Sequence, residues 1–291
     1  MSARRPARVG IPVDAHRHAD IGRCRMIAVD GAATHVVDES GARPVVLVHG
    51  SQGWAYTWRH QIGPFSAAGF RVVAPDLPGC GYSALDVSDP SIAGLSRFLA
   101  SLLDALEIGR ASFVASSGGG LPVLDLAIRH PERVEALVLA STCGVPHRLP
   151  WLWRRITTPA IGEIAGLLLC RRLVRGTLRT AVRDDSCITD EVVEQYYRPL
   201  RRKGAWPAQL KLERASHPEW VEQNLGDISA PALVIWGEDD PWHPIRMAVE
   251  FQRRLRRPRL SVIPDCGHLP HEEHPDTFNT VAGQFLGEPS G

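Results

Sequence analysis

The stretch Ser112-Phe113-Val114-Ala115-Ser116-Ser117-Gly118-Gly119-Gly120 decides the fold. An apolar strand runs into a turn made only of Ser and Gly, and residues 121–130 can continue as a helix. A strand-to-helix turn sharp enough to expose a nucleophile leaves almost no room for side chains two residues before and two after it. Centring the turn on Ser117 places Ala115 and Gly119 at those positions. Ser117 is therefore the predicted nucleophile; the alternative is an ordinary Gly-rich turn able to bind phosphate.

Two later strand ends carry further polar residues. The apolar run 234–237 passes into the acidic turn Glu238-Asp239-Asp240, and a second run, 260–263, is followed by Gly267 and His268. The order along the chain is therefore Ser, Asp, His, each just past a predicted strand. Because ligands bind beyond the carboxyl ends of the strands in an open parallel sheet, these loops can bring the three side chains together. The same order is typical of one class of catalytic triad.

With these motifs in place, the chain resembles the α/β-hydrolase family over nearly its whole length. Leu47-Val48-His49-Gly50 resembles the family's strand and oxyanion loop, and residues 76–83 resemble its Asp-x-Pro-Gly-x-Gly-x-Ser loop. The histidine loop is similar at Gly267-His268, Pro270, Glu273, Pro275 and Phe278. The resemblance implies an α/β-hydrolase fold: a mostly parallel, doubly wound sheet flanked by helices, with an inserted helical lid.

Strand and helix patterns alternate along most of the chain, as a parallel sheet requires. Between about residues 145 and 225 the alternation stops, and the sequence is helix-like, with amphipathic runs at 161–177 and 191–200. A lid there would cover the strand ends, exclude water and shape the pocket. The predicted organisation is a flexible N-terminal extension (1–24), a core in two parts (25–144 and 226–291) and a lid (145–225).

The predicted mechanism follows from residue chemistry. His268 accepts the proton of Ser117 as the serine attacks a carbonyl, and an acyl-enzyme forms. Asp240 holds the histidine tautomer and stabilises the imidazolium. The resemblance places the acid at Asp240, three residues after Gly237, with Asp239 and Glu238 as alternatives.

Charge that develops on the carbonyl oxygen needs preorganised donors. The backbone N–H groups of Gly118 and Ser51 are the predicted oxyanion hole, with Gln52 and Gly53 close by. His49 is expected to be structural, holding its loop through a ring hydrogen bond. Candidate substrate-binding residues lie beside these groups or in the lid, where most are expected to pack the lid onto the core: Gln52, Trp54, Ser116, Trp151, Trp153, Tyr196, Tyr197 and Leu269.

The branch of the family is less sharply defined. Residues 49–62 resemble the epoxide hydrolase and haloalkane dehalogenase branch, whose members use an aspartate where this chain has Ser117. A second branch cleaves carbon–carbon bonds in vinylogous diketones and commonly has Asn before the serine and Trp after the histidine. Here those positions hold Ser116 and Leu269. The main prediction is therefore a carboxylesterase-like hydrolase of esters, lactones or thioesters. The alternatives are a carbon–carbon bond hydrolase, or a cyclase, lyase or binding protein of the same fold.

Composition predicts a cytoplasmic enzyme, and the resemblance implies a small-molecule substrate. The formal net charge is +1, which gives no sign of a nucleic-acid partner. The six cysteines form no Cys-x-x-Cys pair, so neither a metal site nor a disulfide framework is expected. No segment approaches the roughly 20 apolar residues of a membrane span. No cofactor is implied, because the triad needs none, and the oligomeric state is left open.

Overall fold

A computed structural model describes residues 21–146 and 155–288 of the 291. The sheet in this structure begins with an antiparallel hairpin. Strands β1 (Cys24–Val29) and β2 (Ala32–Glu39) pair antiparallel. Asp30 and Gly31 join them with φ values of 49° and 80°, as tight hairpin turns require.

The remaining strands form the mostly parallel part of the sheet. They are β3 (Arg43–Val48), β4 (Phe70–Pro75), β5 (Ala111–Ser116), β6 (Val134–Ala140), β7 (Ala232–Gly237) and β8 (Pro258–Ile263). The strand order is β1-β2-β4-β3-β5-β6-β7-β8. Pairing is antiparallel up to β4 and parallel from there on. Every residue of β5 and β7 is buried, because helices cover both faces of the sheet. The predicted fold class is confirmed.

The α-helices of the described residues cover the two faces of this sheet and form the segment between β6 and β7. They are α1 (Arg59–Ala67), α2 (Ile92–Ala105), α3 (Gly120–Arg129), α4 (Ile161–Leu167), α5 (Arg171–Arg179), α6 (Asp190–Leu200), α7 (Ala205–Arg214), α8 (Glu219–Asn224), α9 (Arg246–Arg254), α10 (Pro270–Glu273) and α11 (Pro275–Gly287). The apolar residues of α2, α3 and α9 form one core cluster, and those of α1, α6 and α11 form the other. The two clusters fix the sheet between them, so that the loops at its edge are held in place.

The segment between β6 and β7 contains only helices in its described part, residues 141–146 and 155–231. The sequence predicts one continuous amphipathic helical run over residues 161–177. This prediction is wrong, because the structure has two separate helices there, α4 and α5. Cys170 between them is extended, with φ −146° and ψ 165°. The two helices separate because they pack on different neighbours: α4 contacts α7, while α5 contacts α6.

Some predictions concern residues outside the described ranges. They include most of the N-terminal extension (residues 1–20) and the candidate substrate-binding residues Trp151 and Trp153. The division into core and lid stays a prediction. Among the described helices, none combines the length and the apolar run needed to cross a membrane.

Candidate active site

The nucleophile turn lies between β5 and α3. Ser117 opens a short 3-10 turn, Ser117–Gly119, with φ of 51°. A Cβ built on Gly119 would lie 2.2 Å from the carbonyl oxygen of His49, so no larger residue fits there without movement. Ala115, two residues before the serine, is fully buried. The geometry explains why the sequence has small residues on both sides of Ser117.

The three predicted triad residues meet at the carboxyl edge of the sheet. His268 Nε2 lies 3.0 Å from Ser117 Oγ, and His268 Nδ1 lies 2.9 Å from Asp240 Oδ2. Although burial opposes it, the charge and hydrogen bond of His268 lower the pKa of Asp240. Asp240 is therefore a carboxylate at neutral pH, as the orienting member of a triad must be.

The other acids of the same loop do not reach the histidine in this way. Asp239 pairs with Arg183 at 3.3 Å on the exposed side. The second oxygen of Asp240, Oδ1, accepts hydrogen bonds from the backbone N–H groups of Trp242 at 2.9 Å and His243 at 2.8 Å. These bonds fix the carboxylate so that its remaining oxygen faces His268. The catalytic roles stay predictions, and the geometry brings the three side chains into hydrogen-bond distance.

The predicted oxyanion donors are neighbours beside Ser117. A Cβ built on Gly118 would lie 3.0 Å from Ser51 Oγ and 3.8 Å from Ser51 N. The N–H of Gln52 donates instead to Gln209 Oε1 at 3.2 Å, and that of Gly53 donates to the Gly50 carbonyl at 3.1 Å. Of these three consecutive N–H groups, that of Ser51 is the one with no partner among the described residues.

His49 supports this loop rather than the reaction. Its Nδ1 donates to the carbonyl oxygen of Gly50 at 2.8 Å, and its Nε2 accepts from the N–H of Leu77 at 3.0 Å. The donor at Leu77 assigns the neutral tautomer with the proton on Nδ1. Burial lowers the pKa of His49, opposed by nearby Asp76. The neutral ring therefore joins two loops, which is the structural role expected of it.

Several predicted substrate-binding side chains are buried between the helical segment and the core. Trp54 is 1% exposed, and its Nε1 donates to the Gln195 carbonyl at 2.9 Å. The Tyr196 hydroxyl oxygen lies 2.9 Å from Thr57 Oγ1, and Tyr197 is also buried. In this structure these residues pack the segment onto the core, so their contact with substrate stays a prediction.

The remaining predicted residues surround the turn itself. Ser116 is buried at the end of β5, Leu269 is partly buried next to His268, and Gln52 is half-buried on the oxyanion loop. Leu269 N–H points to Glu273 Oε1 at 3.4 Å. Glu273 Oε1 also accepts from the N–H of Gly267 at 2.9 Å, so this carboxylate holds the histidine loop.

Sequence analysis missed a second histidine at the site. His243 Nδ1 donates to the Ser141 carbonyl at 2.7 Å, and its Nε2 lies 3.6 Å from the thiol of Cys143. Its ring stands at 87° to that of His268, with centroids 4.6 Å apart. The position of His243 in the acid loop, three residues after Asp240, was the available signal.

A group of possible metal-ligand atoms results from this arrangement. Asp240, His243 and His268 place nitrogen or oxygen atoms within 4.8 Å of one another. Two of these residues bond to each other in the triad, and the Nδ1 of the third is engaged by a carbonyl. The group therefore fits a hydrogen-bonded catalytic site, and we assign no metal to it.

Comparison with known proteins identifies the class. A sequence model of the alpha/beta hydrolase fold matches residues 43–275. The chain therefore belongs to the α/β-hydrolase family and is a hydrolase, as the resemblance implied.

Several relatives within the family are named for one type of reaction. The 2-hydroxy-6-oxo-6-phenylhexa-2,4-dienoate hydrolase of Burkholderia cepacia is 30% identical over 87% of this chain and 90% of its own length. The 2-hydroxymuconate semialdehyde hydrolase of Pseudomonas sp. (strain CF600) is 31% identical over 91% and 94%. Among solved structures, a meta-cleavage product hydrolase from Pseudomonas fluorescens superposes with a TM-score of 0.78 at 25% identity, covering 90% of this chain and 97% of that one. These names correspond to the carbon–carbon alternative rather than to ester hydrolysis.

Proposed function

We propose that this chain hydrolyses a carbon–carbon bond next to a ketone carbonyl. The observation that carries the proposal is the hydrogen-bonded chain from Ser117 through His268 to Asp240, with bonds of 3.0 and 2.9 Å. It occurs in a chain whose relatives are named hydrolases of 6-oxo-dienoates and similar compounds. A conjugated ketone suits this chemistry, because conjugation stabilises the carbanion that leaves.

A dienol substrate must first ketonise, so that the electron pair of the breaking bond is conjugated with the second carbonyl. The site residues supply the proton transfers that follow. Ser117 Oγ adds to the ketone carbon while its proton moves to His268 Nε2, and Asp240 stabilises the imidazolium. The N–H groups of Gly118 and Ser51 hold the developing oxyanion, and losing one such donor typically costs about 2.7–4 kcal/mol.

The two products leave in separate steps. Collapse of the tetrahedral intermediate breaks the carbon–carbon bond, and the carbon leaving group takes the proton from His268. Water, deprotonated by His268, then hydrolyses the acyl-enzyme and releases a carboxylic acid and free Ser117.

Hydrolysis of esters, lactones or thioesters is the second candidate. It is favoured by Ser116 and Leu269, which stand where the carbon–carbon branch commonly has Asn and Trp. The same triad and the same acyl-enzyme serve both reactions. They differ in the leaving group, because an alkoxide or thiolate leaves without the help of conjugation.

A covalent probe tests the nucleophile first. We expect one fluorophosphonate adduct by intact mass on the wild-type chain and none on Ser117→Ala. Absence of an adduct on folded wild-type protein would contradict an activated Ser117 and would favour a non-hydrolytic role.

Product analysis then separates the two candidates. Three substrates share a benzoyl group: 2-hydroxy-6-oxo-6-phenylhexa-2,4-dienoate, the neutral diketone benzoylacetone, and phenyl benzoate. We expect Ser117-dependent release of benzoate from at least one ketone, accompanied by acetone in the case of benzoylacetone. Benzoate from phenyl benzoate alone would replace the carbon–carbon proposal with ester hydrolysis.

A further inference from the structure

Helix α7 presents two polar side chains to the oxyanion loop. Gln209 and Glu213 are four residues apart and therefore share one face of the helix. Gln209 Oε1 accepts from Gln52 N–H at 3.2 Å, and its Nε2 donates to the Gly79 carbonyl at 3.1 Å. One turn later, the Glu213 carboxyl interacts with the Ser51 side chain.

This contact places Glu213 beside the reacting atoms. The Ser51 hydroxyl lies 3.0 Å from a Cβ built on Gly118, the residue that follows the nucleophile. Glu213 also interacts electrostatically with the thiol of Cys143. The backbone N–H of Cys143 donates to the Ser117 carbonyl at 3.0 Å. Burial, and after it the negative charge of Glu213, raises the pKa of the Cys143 thiol to about 12.

Within the described residues, no cation pairs with Glu213. The two nearest basic residues on α7 are engaged elsewhere: Lys211 Nζ donates to the Val87 carbonyl at 2.5 Å, and Arg214 Nη1 pairs with Glu163 at 2.7 Å. Burial raises the pKa of Glu213, and the interaction with Ser51 offsets only part of that effect.

Glu213 interacts with three groups that carry no positive charge: the Ser51 hydroxyl of the oxyanion loop, the thiol of Cys80 after β4 and the thiol of Cys143 after β6. The Cys143 thiol is in turn 3.6 Å from His243 Nε2. Asp240 of the triad also acts on Cys143, and it adds a second negative charge to this part of the site.

We propose that Glu213 is a specificity-determining residue that disfavours substrates carrying an anionic group over the oxyanion loop. Glu213 is half-buried, so solvent screens its repulsion of a nearby carboxylate only in part. The substrate is therefore neutral or cationic on that side, and a dienoate enters only with its carboxylate directed elsewhere. The inference rests on the proposed function in that it needs Ser117 as the nucleophile.

Matched substrates test the charge preference. Phenyl acetate and 4-acetoxybenzoate differ by a carboxylate on the leaving group, and phenyl butanoate and phenyl hydrogen succinate differ by one on the acyl group. We expect the wild-type chain to prefer the neutral member of at least one pair by about 10- to 100-fold in kcat/KM at pH 8. Glu213→Gln, which keeps the side-chain shape, should reduce that ratio at least tenfold.

A control variant separates this effect from a general change of charge. Glu219→Gln alters an exposed residue at the start of α8 and should leave the ratio unchanged. If Glu213→Gln does not fold, the pH dependence of the wild-type ratio decides. Because the pKa of Glu213 is raised, the ratio should already shrink above about pH 5.5, where the substrate carboxylates are still ionised. A ratio that is equal in wild type and Glu213→Gln, or near one in wild type at pH 8, would overturn the inference.

A second readout keeps this inference separate from the proposed function. We compare the rates of inactivation by two phosphonates that differ only by a carboxylate. Inactivation requires only a reactive Ser117. If no ketone is cleaved but Glu213→Gln speeds inactivation by the anionic phosphonate at least tenfold, the carbon–carbon proposal fails and the role of Glu213 stands. If ketones are cleaved and the ratio of the two inactivation rates is the same in wild type and Glu213→Gln, the proposed role of Glu213 is wrong.

Discussion

Ser117 occupies a backbone conformation that serine seldom adopts. Its φ of 51° lies in the left-handed region, where a side chain costs on the order of 1–3 kcal/mol. Strand β5, buried at every position, and helix α3 hold the turn from its two sides. The packing of these elements therefore maintains a strained residue whose hydroxyl faces His268.

Substitutions at Ser117 test that strain. Glycine adopts this conformation without a penalty and alanine does not, so we expect Ser117→Gly to exceed Ser117→Ala in unfolding free energy by about 1 kcal/mol. Urea denaturation of the two inactive variants measures the difference. Equal stabilities would show that the residue is not strained at this φ.

Asp240 and Asp239 form a matched pair for testing the acid of the triad. Asp240→Asn should lower kcat by about 10⁴, because an amide favours the wrong histidine tautomer. Asp239→Asn should change kcat less than about threefold, since Asp239 contacts exposed Arg183. Steady-state kinetics on any Ser117-dependent substrate measures both. The reverse order would assign the acid to Asp239.

At the scale of elements, buried polar contacts attach α6 to the core. Glu272 on α10 accepts from Thr57 Oγ1 at 2.7 Å and from Arg59 Nη1 at 2.8 Å, and the Tyr196 hydroxyl also donates to it. Although burial opposes it, the charge of Arg59 is the main reason that the pKa of Glu272 is lowered. A buried carboxylate with three donors fixes the position of α6 relative to the site.

The adjacent tyrosines of α6 provide the test. Tyr196→Phe removes one donor from the buried Glu272 carboxylate, and we expect it to cost about 1.5–3 kcal/mol of unfolding free energy. Tyr197→Phe is the control, because the Tyr197 hydroxyl makes no hydrogen bond to the described residues. Chemical denaturation measures both variants. A cost that is the same in both would argue against the network.

At the scale of the whole molecule, one buried ion pair joins the hairpin to the parallel sheet. His35 lies on β2 and Asp76 just after β4. The atoms His35 Nδ1 and Asp76 Oδ2 are 3.0 Å apart and form an ion pair, although the angles do not meet those of a hydrogen bond. Asp76 also accepts from the N–H groups of Ala55 at 2.8 Å and Tyr82 at 2.7 Å. Burial would lower the pKa of His35, but Asp76 outweighs it and raises the pKa to about 10.

This raised pKa predicts a loss of stability at alkaline pH. The contribution of His35 is fully present below its unfolded pKa of about 6.5 and is lost as the pH rises through its folded value. We expect wild type to lose on the order of 2 kcal/mol more than His35→Gln between pH 6.5 and 10. His217→Gln, at an exposed position, should follow wild type in the same denaturation series. Parallel curves for wild type and His35→Gln would contradict the ion pair.

The sequence by itself predicted the mostly parallel sheet, the alternation of strands and helices, and the three residues whose side chains meet at the edge of the sheet. These features depend on local requirements: apolar runs for buried strands, small residues around Ser117, and polar residues just past strand ends. Each requirement is visible within about ten residues, so reading along the chain is enough.

Only the tertiary structure decided the surroundings of that triad. The separation of α4 from α5, the contact of Tyr196 with Glu272, and the approach of His243 and Glu213 to the site all depend on which neighbour a helix or loop meets. Helical spacing placed Gln209 and Glu213 on one face but not against the oxyanion loop. The partners are distant in sequence, and packing brings them together.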